Sequence, residues 1–235
     1  MAGLLENLQF RLDLATNRGA IQSHGILKMQ DGKEPEYYAK VRASKVDVGF
    51  YIGKTGIISN TSFLMGVHGT SFDPEKMDTH LQMLDAGLNY NSYQYQNINL
   101  TASLVKNLVQ TNLIVNDTNL HASIITEISL DSVNQSAKAS IRLEGSDLKN
   151  LNLASKPLRV SGESNIKING FDIDNMNGLA TFTNILIIKE EERYPLDSVY
   201  IKVINTEQRS ENILKSQIVD ANLKGTLNMT TIPQV

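Results

Sequence analysis

Residues Asp117–Leu130, DTNLHASIITEISL, decide the fold. From Leu120 the even positions are apolar or small: Leu120, Ala122, Ile124, Ile128 and Leu130, with Thr126 between them. The odd positions Asn119, His121, Ser123, Glu127 and Ser129 are polar, and Ile125 is the exception. A period of two with one dry and one wet face is the signature of a half-buried strand. The design returns near the C-terminus. There Val219, Ala221, Leu223, Gly225, Leu227 and Met229 alternate with Asp220, Asn222, Lys224, Thr226 and Asn228. Both stretches open with Asp-x-Asn-Leu, which reads as one unit used twice.

Working outward, the same alternation fills most of the chain. Leu8, Phe10, Leu12 and Leu14 share a phase, as do Tyr37, Ala39, Val41 and Ala43. Phe63, Met65 and Val67 form another set, as do Ile98, Leu100, Ala102 and Leu104, and Ala137, Ala139, Ile141 and Leu143. Asp31-Gly32, Asp73-Pro74 and Glu190–Arg193 punctuate these segments as turns. The five prolines are expected where strands begin or end, because proline cannot donate to a ladder. A phase change near Asn116 predicts a bulge. Val46–Gly53 suits a short helical or irregular plug. Ser146–Leu153, with a capping residue and leucines at helical spacing, predicts a helix of one to two turns. The expected class is therefore all-β, a mainly antiparallel sheet with one or two short helices.

Composition narrows the function. A net charge of −3 provides no basic footprint for nucleic acid. The absence of cysteine removes disulfides and cysteine-based zinc sites. No apolar run approaches the roughly 18 residues of a membrane helix. No secretory leader opens the chain, and it reads as an internal piece of a longer protein. His24, His68, His80 and His121 are scattered among apolar neighbours and read as wet-face or turn residues. Asp172-x-Asp174-x-x-Asn177-Gly178 only faintly suggests a calcium loop, because Met176 stands where an oxygen ligand is needed. There is no nucleophile elbow and no phosphate-binding glycine loop. No catalytic set, cofactor or metal is expected, and the chain is read as not an enzyme.

The repeat exceeds one strand. His68–Asp73 resembles Asn169–Asp172, and Tyr95 with Ile98 matches Tyr194 with Val199. Two units are expected, 46–145 and 146–235, with residues 1–45 as the tail of a preceding copy and Ile21–Met29 as its last strand. Multi-strand repeats stack into elongated sheets.

These segments, in order, carry a family resemblance: Val46–Gly53 (VDVGFYIG), Gly66–Pro74 (GVHGTSFDP), Tyr93–Leu104 (YQYQNINLTASL), Val115–Ser129, and the block from Ser146 through Tyr194–Ser198 to Asp220–Leu227. Together they resemble the repeats of the AsmA-like superfamily, most closely the TamB-type translocation and assembly proteins. The resemblance implies a β-taco, an elongated, curved, mainly antiparallel sheet of tandem repeats forming an open groove with an apolar inside and a polar outside. It implies a periplasmic protein held by an inner-membrane anchor outside this chain. The implied role is a non-catalytic scaffold for phospholipid transport between the inner and outer membranes and for outer-membrane biogenesis. The implied partners are phospholipid acyl chains and, through parts not in this chain, an outer-membrane β-barrel assembly protein of the TamA/BamA type.

The physics fits a groove as well as a closed β-sandwich, and the resemblance favours the groove. A large sheet with one apolar face and few helices would expose more apolar surface than soluble monomers tolerate. That face must close on itself, pair with another chain or hold a ligand. The residues expected to line a lipid groove are Leu100, Leu104, Leu120, Ala122, Ile124, Ile128, Leu158, Val160, Ile166, Leu223, Leu227 and Met229. Two other readings remain open from sequence: a closed β-sandwich serving as a carbohydrate- or protein-binding adhesin-like module, and a transmembrane β-barrel. The barrel is disfavoured by the absence of tryptophan and of aromatic girdles.

Overall fold

Alternation at this density leaves little besides strands, and strands are what form. A computed structural model describes residues 6–172, 175–206 and 209–225. The strands are β1 (Asn7–Thr16), β2 (Gly19–Lys28), β3 (Glu36–Val46), β4 (Ile58–Thr70), β5 (Asp78–Tyr90), β6 (Tyr93–Val105) and β7 (Leu108–Asp117). They continue as β8 (Leu120–Ser129), β9 (Ser136–Asp147), β10 (Leu158–Asn169), β11 (Asn177–Lys189), β12 (Glu192–Thr206), β13 (Arg209–Ser216) and β14 (Asp220–Gly225). They form one 14-stranded sheet in sequence order, every neighbour antiparallel. β1 and β14 do not pair, so the sheet is open and is neither a closed barrel nor two stacked sheets. The chain exposes 15789 Å² of surface, against roughly 10,500 Å² for a compact monomer of its mass. An open sheet accounts for that excess.

Strand starts recur down the chain. β4 and β10 begin at Ile58 and Leu158, β5 and β11 at Asp78 and Asn177, β6 and β12 at Tyr93 and Glu192. Each step is roughly 100 residues, a six-strand period. By the same step β2 corresponds to β8, and β3, the counterpart of β9, follows it. β2, which contains Ile21–Lys28, thus shares its place in the period with β8 and β14. The two Asp-x-Asn-Leu stretches are also not equivalent positions: Asp117 closes β7 and is buried, whereas Asp220 opens β14 and is exposed.

Connections after odd-numbered strands line one edge of the sheet, here the first rim; those after even-numbered strands line the second rim. Register shifts fall at Ala43/Val46, Ser59/Ser62, Met83/Ala86, His121/Ala122 and Val160/Gly162, all in the half of the strands nearer the first rim. Asn60, Asp85, Asn97 and Asn184 adopt left-handed backbone there, with φ between 46° and 53°, a conformation that Asn and Asp accept more readily than other residues. Bulges bend strands and increase their twist, so a line of them curves the whole sheet. Ala43, Val46, Ala86 and Ile98 sit beside these shifts and are buried, while most of the apolar face elsewhere is half-buried.

Three local expectations are corrected. Ser146–Leu153 forms no helix: β9 runs to Asp147, and one turn follows, closed by Leu151 N–H to Asp147 O at 3.0 Å and capped by the Asp147 carboxylate on Asn150 N–H at 3.1 Å. The leucine spacing instead drives Leu151 into a fully buried position. No bulge occurs at Asn116; β7 pairs with β8 without a shift, and the phase changes through the turn at Thr118-Asn119. Pro195 lies inside β12, paired with Leu186. It is tolerated because β13 pairs with β12 only from Val199 onward, leaving that stretch open on one side. The plug expected at Val46–Gly53 contains the helix α1 (Val48–Tyr51), capped by Asp47. Gly49 is buried there, and a Cβ on it would lie 2.1 Å from Ile58 O.

Candidate functional site

Residues paired across an antiparallel ladder share a face, so the register shows which side chains the sheet gathers. One row runs Val41, Met65, Met83, Leu100, Leu113, Ile124, Ile141 across β3–β9 and continues through Ser164, Phe182 and Val199. The next runs from Phe10 through Ala39, Val67, Leu81, Ala102, Ala139, Ile166 and Ile201 to Ala221. A third joins Leu8 and Leu27 to Leu104, Val109, Ile128, Ala137 and Leu223. None of the three rows contains a charged residue. At about 4.8 Å per strand the rows that cross all 14 strands extend roughly 60 Å.

All ten described residues predicted to line a groove lie on this face. Leu100 and Ile124 share the first row, Ile166 lies in the second, and Leu104, Ile128 and Leu223 in the third. Leu120, Ala122, Leu158 and Val160 lie nearer the first rim. Leu227 and Met229 fall outside the described residues. Nine of the ten are half-buried and Leu223 is exposed. Side-by-side packing within a face covers the flanks of each side chain and leaves the tips open. The lining extends beyond the predicted set to Met65, Met83, Leu113, Ile141 and Phe182, whose alternation was visible in the sequence.

Polar groups on this face largely satisfy one another. Thr111 and Thr126 hydroxyls bond at 2.8 Å, Tyr37 bonds Thr79, and Ser146 donates to Val160 O at 2.9 Å. Ser164 Oγ is buried with no partner among the described residues. Three charges pair onto this face at the first rim, Asp117 opposite Leu120, Lys189 opposite Leu158 and Glu192 opposite Lys189. Asp117 is 1% exposed and accepts from Tyr93 OH, from Gln96 N–H at 3.0 Å and from Asn119 N–H at 2.9 Å. Burial first, and then the bond to Asp117, holds the Tyr93 phenol above its ordinary pKa.

The opposite face is wet. Glu127 accepts from Lys138 at 2.7 Å and from Gln110 at 3.3 Å, Ser140 donates to Asn165 at 2.8 Å, and Arg142 pairs with Glu163 at 2.9 Å. His68 and His80 stack at 5.2 Å, and His80 Nε2 lies 2.8 Å from Asp78. A twisted sheet is saddle-shaped, and a depression of about 780 Å³ opens on this side, lined by Tyr38, Lys40, His68, His80, Gln82 and Glu127 among others. Sequence alone gave no signal for it. It faces away from the predicted lining, and of its polar lining His80, Gln110 and Glu127 are held in the contacts above. Among the described residues no cluster of His, Asp and Glu is arranged to hold a metal, and no helix is long and apolar enough to cross a membrane. Comparison with protein-family models, curated proteins and solved structures finds no match.

Proposed function

We propose that the apolar face is a groove for the acyl chains of phospholipids and that the chain is a non-catalytic scaffold, as its resemblance to the AsmA-like superfamily suggests. On that reading it works in the periplasm, in phospholipid transport between inner and outer membrane and in outer-membrane biogenesis. The inner-membrane anchor and the docking to a barrel-assembly partner belong to other parts of the protein. One observation supports the proposal: ten predicted lining residues fall on one face of a single open sheet, a face crossed by three rows without a charged residue. Each buried CH₂ gains about 0.8 kcal/mol, so an ordinary acyl chain gains on the order of ten kcal/mol before the costs of binding. Aliphatic walls without fixed donors grip tails without selecting headgroups, which suits movement along the groove.

Native mass spectrometry of the chain purified from Gram-negative cells tests this. Phospholipid-mass adducts, lost in Ile124→Arg and Leu223→Arg while the fold persists, are the expected result. A bare chain throughout would refute it. The second reading, a carbohydrate- or protein-binding module, draws on the wet-face depression, where Tyr38 offers a ring and Gln82, Gln110 and Asn112 offer amides. Saturable oligosaccharide binding lost in Tyr38→Ala would favour it.

A further inference from the structure

The connections of the first rim are tied into one band. Asp47 N–H donates to Arg18 O at 2.8 Å, and the Arg18 guanidinium pairs with the Asp47 carboxylate at 2.9 Å while lying over the Phe50 ring. After α1, Ile57 O accepts from Asn91 N–H at 2.9 Å. The Asn91 and Asn152 side chains each donate to the other's backbone carbonyl, joining the β5–β6 turn to the β9–β10 loop. Asn150 reaches Asn119 in the β7–β8 turn at 3.4 Å.

This band presents large apolar side chains outward. Phe50, Tyr51, Ile52, Ile57 and Leu153 are between 47% and 59% exposed. Lys54 and Lys149 are exposed beside them and make no ion pair among the described residues. The carboxylates at the strand ends and caps of this stretch are neutralised or hidden: Asp47 by Arg18, Asp147 by Arg159 at 3.3 Å, and Asp117 by burial, while Glu144 and Asp85 lie further down their strands. The second rim also exposes apolar side chains, Phe72, Leu130, Val133 and Phe171 among them, but its charges in no ion pair among the described residues are mainly acidic, Asp31, Asp73, Glu75 and Asp131 against Lys33 and Lys106. Further along the first rim the β11–β12 connection carries Glu190 and Glu191, with Glu192 opening β12, so the basic, apolar stretch ends at the β9–β10 loop.

We propose that this stretch of the first rim docks on an anionic phospholipid bilayer. Aromatic and aliphatic tips enter the boundary between headgroups and acyl chains, and Lys54 and Lys149 meet the negative headgroups. The acidic second rim is repelled from the same surface, which fixes the orientation of the sheet. This surface is separate from the apolar groove and does not depend on the groove's being filled.

The chain contains no tryptophan, so Tyr51→Trp is a single reporter. Mixed with vesicles of phosphatidylcholine doped with phosphatidylglycerol, it is expected to shift its emission to the blue and to be quenched by brominated acyl chains. Val133→Trp on the second rim is expected to do neither. Lys54→Glu with Lys149→Glu weakens vesicle binding about tenfold or more, and added salt weakens the unmodified chain in the same direction. These residues are exposed, so an unchanged melting temperature shows that the fold is intact. No shift at Tyr51→Trp, or an equal shift at Val133→Trp, overturns the proposal. Adding Ile124→Arg separates it from the groove reading, since tails are lost there while docking persists.

Discussion

Ile124 and Ile125 are neighbours in β8, identical in chemistry, and opposite in situation. Ile124 is half-buried in a row of aliphatic side chains between Leu113 and Ile141. Ile125 is 56% exposed between Asn112 and Ser140. What separates them is the pleat, which turns successive side chains to opposite faces. The sheet thus has two different surfaces: one carries rows of half-buried apolar side chains, and the other carries cross-strand polar pairs.

The largest expected effect breaks this comparison directly. Ile124→Arg places a charge in the uncharged row and is expected to lower retained phospholipid at least tenfold, measured by extraction and mass spectrometry. Ile125→Arg is expected to leave it unchanged, and equal losses would mean that the two faces do not differ in lipid binding. A second test concerns Asp117, the carboxylate that the apolar face admits only with three donors around it. Asp117→Ala leaves the Tyr93 hydroxyl and two backbone N–H groups without their partner and is expected to cost about 3 kcal/mol by denaturant unfolding. Tyr93→Phe removes a single bond to a charged group and is expected to cost about 2 kcal/mol.

The smallest effect belongs to the wet face. Lys138→Met is expected to leave the melting temperature within scatter, because exposed ion pairs contribute little. Its signature is in the pH dependence. The bond from Lys138, then that from Gln110, holds the Glu127 carboxyl below its ordinary pKa. Any stabilisation from the pair is therefore present above the unfolded-state pKa and lost as pH falls through the lower folded value. In Lys138→Met that acid-side loss is expected to shrink, which a melting series in acid would record.

Much of this was legible because the pleat writes itself into the sequence. Asp117–Leu130 gave a strand with Ile125 as its exception, and Ile125 is the residue found exposed on the wet face. What remained hidden depends on contacts distant in sequence. Nothing near Asp117 announces its burial, since Tyr93 and Gln96 are supplied by β6, across the sheet pairing. The leucines of Ser146–Leu153 carry helical spacing, yet Leu153 and Ala154 N–H both turn back to Leu148 O, and the chain closes into a loop around buried Leu151. Asn60, Asp85, Asn97 and Asn184 read as ordinary polar residues, and only the folded backbone shows them lining up as the bend of the sheet.

The central claim, that acyl chains lie on one face of this sheet and not on the other, is tested most directly by photocrosslinking with a phospholipid carrying a diazirine in its acyl chain, followed by peptide mapping. Adducts concentrated on Met83, Leu100, Leu113, Ile124 and Ile141, with none on Ile114 or Ile125, are the result the account predicts. Adducts divided evenly between the two faces, or absent from both, would contradict it.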